Sequence, residues 1–200
     1  MILLLAICFG LVAGWLRARA GCIRYQAPPL KYSWLVVASM LPQGMVVYLP
    51  RVREITPDWA VKVLLIVSLV GLLVFIWLNK KLPGLYVLGA GLVLNLLVIS
   101  MNGGLMPISP ETVAQLTPEH SAEVWQSGDR LGWSKDIILT RANTRLWWLS
   151  DHFLTPAWFQ HRIAFSPGDV LIALGAFWFL WAQGAPPTIR TRDTCILQRL

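Results

Sequence analysis

The chain has 200 residues, 56% of them apolar and only 14% charged, with a net charge of +7. That balance leaves too little polar surface to cover a water-soluble globule, so the apolar excess implies contact with lipid. The basic residues form no continuous stripe and no nucleic-acid motif accompanies them, so nucleic acid is not an expected partner.

Taken in chain order, five apolar stretches are expected to cross a membrane: residues 1–16, 33–49, 59–78, 82–101 and 165–185. The fold class expected is therefore an all-α integral membrane protein, one membrane domain over residues 1–200. The first stretch superficially resembles a secretory signal, because Ala18-Arg19-Ala20 mimics a cleavage site and Ala20-Gly21-Cys22 part of a lipoprotein box. A signal places its positive charge before the apolar run, whereas Arg17, Arg19 and Arg24 follow it here, so a permanent helix is expected. Gly10 and Gly14 have the spacing that lets helices approach closely, in the first instance an internal neighbour.

The second stretch contains Leu41-Pro42-Gln43-Gly44, where the missing amide should bend or break the helix. A broken helix can line a substrate path, which makes Gln43 a candidate cavity residue, although a simple bend is the commoner outcome. The third stretch, with about 1.5 Å of rise per residue, reaches about 30 Å, the thickness of a bilayer's hydrocarbon core. In the fourth, Asn95 is the most polar deep side chain; it serves either an interhelical hydrogen bond or a pathway. Asn102, Gly103 and Gly104, ahead of Pro107, end that stretch with two residues free to turn sharply.

Residues 102–164 are too long for a simple connection and too rich in tryptophan, isoleucine and leucine to stay disordered. They are expected to fold as an extracytoplasmic interfacial segment capping the outer helix ends. Ser109-Pro110 and Thr117-Pro118 each place an N-cap before proline, which predicts short helices over 110–116 and 118–127, the second closed at Gly128. Residues 136–140 and 145–149 read as an amphipathic helix or a strand pair, with interfacial structure favoured. The fifth stretch opens on Ser166-Pro167-Gly168-Asp169, where serine at N-cap, proline at N1 and Asp169 at N3 make a capping-box start. Residues 186–200 form the tail.

Lys and Arg concentrate in the first connection (Arg17, Arg19, Arg24, Lys31), the third (Lys80, Lys81) and the tail (Arg190, Arg192, Arg199), opposed only by Asp193. Positive charge marks the cytoplasmic side, which places the N-terminus outside and the C-terminus inside a bacterial cytoplasmic membrane. Trp15, Trp34, Trp77, Trp178 and Trp181 fall near the same ends, as headgroup-seeking rings should. With Cys22 and Cys195 on that reducing side, free thiols are expected.

His120, His152 and His161 lie in the outer segment with Glu123 and Asp151. None has the helical spacing of a zinc protease motif, so no metal and no cofactor are expected. Hydrolase, nucleotide-binding and haem motifs are likewise missing.

The words Asn102-Gly103-Gly104-x-Met106-Pro107-x-Ser109, Thr144-x-Leu146, Leu149-x-Asp151 and Phe165-Ser166-x-Gly168-Asp169-Val170-Leu171-Ile172-Ala173-Leu174-Gly175 resemble a family of small bacterial membrane proteins catalogued only as a domain of unknown function. The resemblance implies a bacterial inner-membrane protein of this helix count and supplies no catalytic residue. The leading expectation is a non-enzymatic scaffold or accessory component. The alternative is a small transporter or lipid-handling protein with an outward cavity around Gln43, Asn95 and the Asn102 to Pro107 turn; a membrane-bound metal enzyme using Asp151, His152 and His161 is third. Expected partners are the bilayer and a membrane protein meeting the outer segment or the Gly10/Gly14 face.

Overall fold

The computed structural model describes residues 2–26, 30–116, 126–132, 134–156 and 162–185. It is mostly helical, and two helices, α1 (Ile2–Ala20) and α4 (Asp58–Leu78), are long and apolar enough to cross a membrane. Between them lie α2 (Trp34–Tyr48) and the short α3 (Pro50–Ile55); α5 (Leu85–Met101) follows α4, and α7 (Pro167–Ala182) ends the described chain. At 15, 17 and 16 residues, α2, α5 and α7 are apolar but shorter. Neighbour contacts order the helices as a row, α1, α7, α5, α4, α2, so the first and last helices lie side by side.

Helix ends depart from the sequence reading for local reasons. α1 runs to Ala20 rather than stopping at residue 16, because Arg17 and Arg19 favour the negative end of the helix dipole. Their guanidiniums rest over Trp181 and Trp15, 4.1 and 4.6 Å from the ring centroids. Pro42 does not break α2, which continues to Tyr48 before the chain turns extended at Leu49. α5 begins at Leu85 rather than residue 82, since Gly84 precedes it at φ +82°, a left-handed conformation that a helix cannot continue. α7 begins as expected: the Ser166 side chain accepts from the Asp169 amide while the Asp169 carboxylate accepts from the Ser166 amide.

Small residues set the helix spacing. A Cβ at Gly14 would lie 2.6 Å from the Leu180 carbonyl oxygen, and one at Gly91 would lie 2.5 Å from that of Gly168. The Gly10/Gly14 face packs on α7 within the same chain, the internal neighbour expected first from the sequence. A correction concerns the cysteines: Cys22 is disulfide-bonded rather than free, with its partner outside the described residues, while Cys8 is a free thiol. Cys195 lies outside the described residues.

The described residues between α5 and α7 fold as a cap with a core of its own. β1 (Met106–Ile108) pairs in parallel with β2 (Asp136–Ile138), Met106 opposite Asp136 and Ile108 opposite Ile138. The helix α6 (Pro110–Leu116) follows β1, and Ser109 caps it by accepting the Thr112 amide at 3.2 Å. Ile108, Val113 and Ile138 are almost fully buried against one another, whereas Met106 and Leu149 join the core of the helices. Residues 136–138 are thus a strand whose partner is β1, and the expected second strand or helix at 145–149 is instead a short 3₁₀ turn over Trp147–Leu149. A helix over 118–127 falls almost entirely outside the described residues; Gly128 sits in a turn at φ +105°. β3 (Phe153–Leu154) and β4 (Ala164–Phe165) pair antiparallel and lead into α7.

Candidate functional site

Most of the polar residues singled out in the sequence meet at the junction between cap and helices. Asn95 of α5 donates to the Asp169 carboxylate at 2.9 Å and accepts from the Ser166 hydroxyl at 3.0 Å, fastening α5 to the start of α7. Gly168 makes this contact sterically feasible, because a Cβ there would collide with the Asn95 amide. Asn102 donates to the carbonyls of Val98 and Arg145, at 2.7 and 2.8 Å, and accepts the Arg145 amide at 2.9 Å, so one side chain ties the end of α5 to the cap. Gly103 and Gly104 turn the chain at φ +81° and +91°, and Gly104 packs on the Lys62 stem. The Pro107 carbonyl accepts the Asp151 amide at 3.2 Å.

Asp151 is the buried centre of a half-buried charge layer that sequence reading did not assemble. Its carboxylate, with 3% of its side-chain surface exposed, pairs with the Lys135 ammonium at 3.3 Å. Burial pushes the Asp151 carboxyl up to about 7 despite the pull of Lys135, and burial raises Asp136 as well. Burial works against the Lys135 charge, yet Asp151, Asp136 and Asp169 outweigh it and hold the ammonium above its ordinary value. One oxygen each of Asp136 and Asp151 is buried without a hydrogen-bond partner among the described residues. Arg130 ties the same region to the start of α4 through Asp58 at 3.1 Å. Lys135 and Asp136 stand at the head of a β-branched run, Ile137-Ile138, and that adjacency was the only sequence signal for a charged strand end under a cap.

Gln43 lies across the helices from Asn95. It accepts a hydrogen bond from Ser68 at 2.9 Å, and a crevice of about 10 Å³ beside it is lined by Arg130 and Lys135. That volume holds about one water, not a substrate.

A larger concavity opens in the cap itself. It measures about 380 Å³ and is lined by Ser109 and Glu111 on one side and by Arg141, Trp147 and His152 on the other. The Arg141 guanidinium lies over the Trp147 ring, 3.5 Å from its centroid, and the His152 ring meets Trp147 edge-on at 5.9 Å. Asp151 and His152, neighbours in sequence, therefore serve different places: one is spent beneath the cap, the other faces the groove. Among the described residues no group of three His, Cys, Asp or Glu side chains could hold a metal ion. His120, Glu123 and His161 lie outside the described residues.

A family model matches residues 28–181, from the first connection through nearly all of α7. The chain belongs to DUF5317, a family of unknown function. The matched span takes in the junction, the charge layer and the groove, so all three lie within the DUF5317 region of the chain. Neither curated proteins nor solved structures give a match.

Proposed function

We propose that this DUF5317 member is a five-pass protein of the bacterial cytoplasmic membrane, with its N-terminus outside and C-terminus inside, and that it acts as a non-enzymatic scaffold or accessory component. The observation that carries the reading is how the helices spend their polar groups. Asn95, Gln43 and Ser68 bond between helices, while large apolar side chains such as Phe9, Val67 and Val93 face outward at 64, 59 and 50% exposure. Only 17% of the α1 span and 33% of the α4 span is buried, far too little for core helices of a soluble protein. The shorter α2, α5 and α7 reach about 22 to 26 Å at 1.5 Å per residue, close to a bilayer's hydrocarbon thickness.

The charge excess puts Cys22 on the reducing side, where a disulfide is uncommon, so the bridge at Cys22 argues against this orientation and the charge pattern argues for it. A lipid-handling or transport role is the second reading, favoured by the groove in the cap. Solubilisation of native membranes in mild detergent tests the scaffold role. The expected result is a stoichiometric partner that is lost when the exposed Trp148 of the cap is changed to Glu; a chain that runs alone would contradict the reading.

A further inference from the structure

We propose that the groove walled by Glu111, Arg141 and His152 binds a small zwitterion, a molecule carrying a primary ammonium and an oxyanion a few bonds apart. The argument is an account of which polar groups in the groove are already used. Ser109 is engaged with Thr112 at 3.0 Å, Thr144 donates to the Thr140 carbonyl at 2.9 Å, and Ser150 donates to the Trp147 carbonyl at 2.5 Å. The His152 ring donates from Nδ1 to the Ser150 carbonyl at 2.9 Å, because a carbonyl can only accept, and this leaves Nε2 for a ligand. Among the described residues this leaves one guanidinium, one imidazole nitrogen and the Glu111 carboxylate, which the Ser109 hydroxyl and its own amide use only in part.

The two charges do not close on each other, since the ion pairs among the described residues involve neither Glu111 nor Arg141. Arg141 is held in place by Trp147, which covers one face of the guanidinium and leaves its edge donors free. The Ser109 hydroxyl and Glu111's own backbone amide hold the Glu111 carboxyl below its ordinary range, and a carboxylate has acceptor sites beyond those two. A bridging zwitterion gains a charge-assisted bond at each end. A simple anion meets the repulsion of Glu111, and a simple cation that of Arg141. The volume of about 380 Å³ suits a small molecule. Such a ligand is either a free amino-acid-like solute or the ethanolamine phosphate headgroup of a lipid. The inference depends neither on the scaffold role nor on the orientation in the membrane.

The full chain, purified in a non-ionic detergent, is titrated calorimetrically with alanine and with O-phosphoethanolamine, and with ethylamine and inorganic phosphate as half-ligands. At least one zwitterion should bind about tenfold or more tightly than either half, and Arg141→Ala and Glu111→Gln should each weaken it about tenfold. Nanodiscs of phosphatidylethanolamine and of phosphatidylglycerol then separate the sources. Solute binding blocked only by the ethanolamine lipid assigns the groove to a headgroup; binding retained in both assigns it to a soluble zwitterion. The proposal is overturned if neither zwitterion binds, if a half-ligand binds as tightly as the whole, or if both variants keep the wild-type melting temperature and the wild-type affinity.

Discussion

Where α5 meets α7 the backbones approach through Gly91, Gly168 and Gly175, with Asn95 bonding Asp169 and Ser166 at one end; where the cap meets the helix ends, Asn102 holds Arg145 at the end of α5 and Arg130 pairs with Asp58 at the start of α4, while Lys135 and Asp151 tie the cap to itself. On the proposed membrane placement, the difference follows from the surroundings. Lipid gives apolar side chains no reason to leave it, so helices within it gain most from close approach of small residues. At the helix ends water is near, a charged side chain can be brought in during folding, and the seam can be specified by directional bonds. Asn95 and Asp169 stand at the boundary and take part in both designs, one from the helix interior and one from a helix start.

The sharpest way to break this contrast is to leave Asp151 without its cation. At pH 8, where Asp151 is ionised, Lys135→Met should cost about 1–3 kcal/mol, because a buried carboxylate is left without its half-exposed cation, and the double variant Lys135→Met/Asp151→Leu should recover most of it. Chemical unfolding in mild detergent measures both, and an equal loss in single and double variants would remove the Lys135–Asp151 pair as a support of the cap. Gly91→Val tests the other design: forcing a side chain against the Gly168 carbonyl should cost about 1–3 kcal/mol, without changing the pH dependence of stability.

That pH dependence has a definite sign. The Asp151 carboxyl titrates at about 7 in the folded protein, against about 3.9 when unfolded, so the native state binds the extra proton between these values. Its contribution to stability is fully present below the unfolded value and is lost as pH rises through about 7. Asp136 is raised as well and acts in the same direction. Melting temperature should therefore fall from pH 5 to pH 8, on the order of the shift between the two states, and Asp151→Asn should flatten the curve. A smaller effect is expected at the α7 start, where Ser166→Ala removes an N-cap and an Asn95 partner for about 1–2 kcal/mol. Smallest of all, Val67→Ala on the exposed face of α4 should shift stability by less than about 0.5 kcal/mol.

The helices were legible because their signals are local. Apolar runs, the Ser166 to Asp169 capping box and the Asn102 to Gly104 turn each need only a few neighbouring residues, and their positions agree with the sequence reading to within a few residues. The cap was not legible, because its decisive contacts are distant along the chain. β1 pairs with a strand some thirty residues away, and a run of three residues carries no periodicity that separates strand from helix. Lys135 and Asp151 give no mutual signal in sequence, and Glu111 and Arg141 come to line one groove only once β1, α6 and the Trp147 turn are folded. Pro42 lies inside a continuous α2, which excludes a break and is compatible with the bend that the sequence favours.

The account depends above all on the cap and the Lys80–Lys81 turn lying on opposite sides of a bilayer. In a variant with Cys8, Cys22 and Cys195 replaced, single cysteines at Ala142 and at Lys81 can be labelled in intact cells with a membrane-impermeant maleimide. The prediction is labelling at residue 142 without permeabilisation and at residue 81 only after it; labelling of both under the same condition would contradict the account.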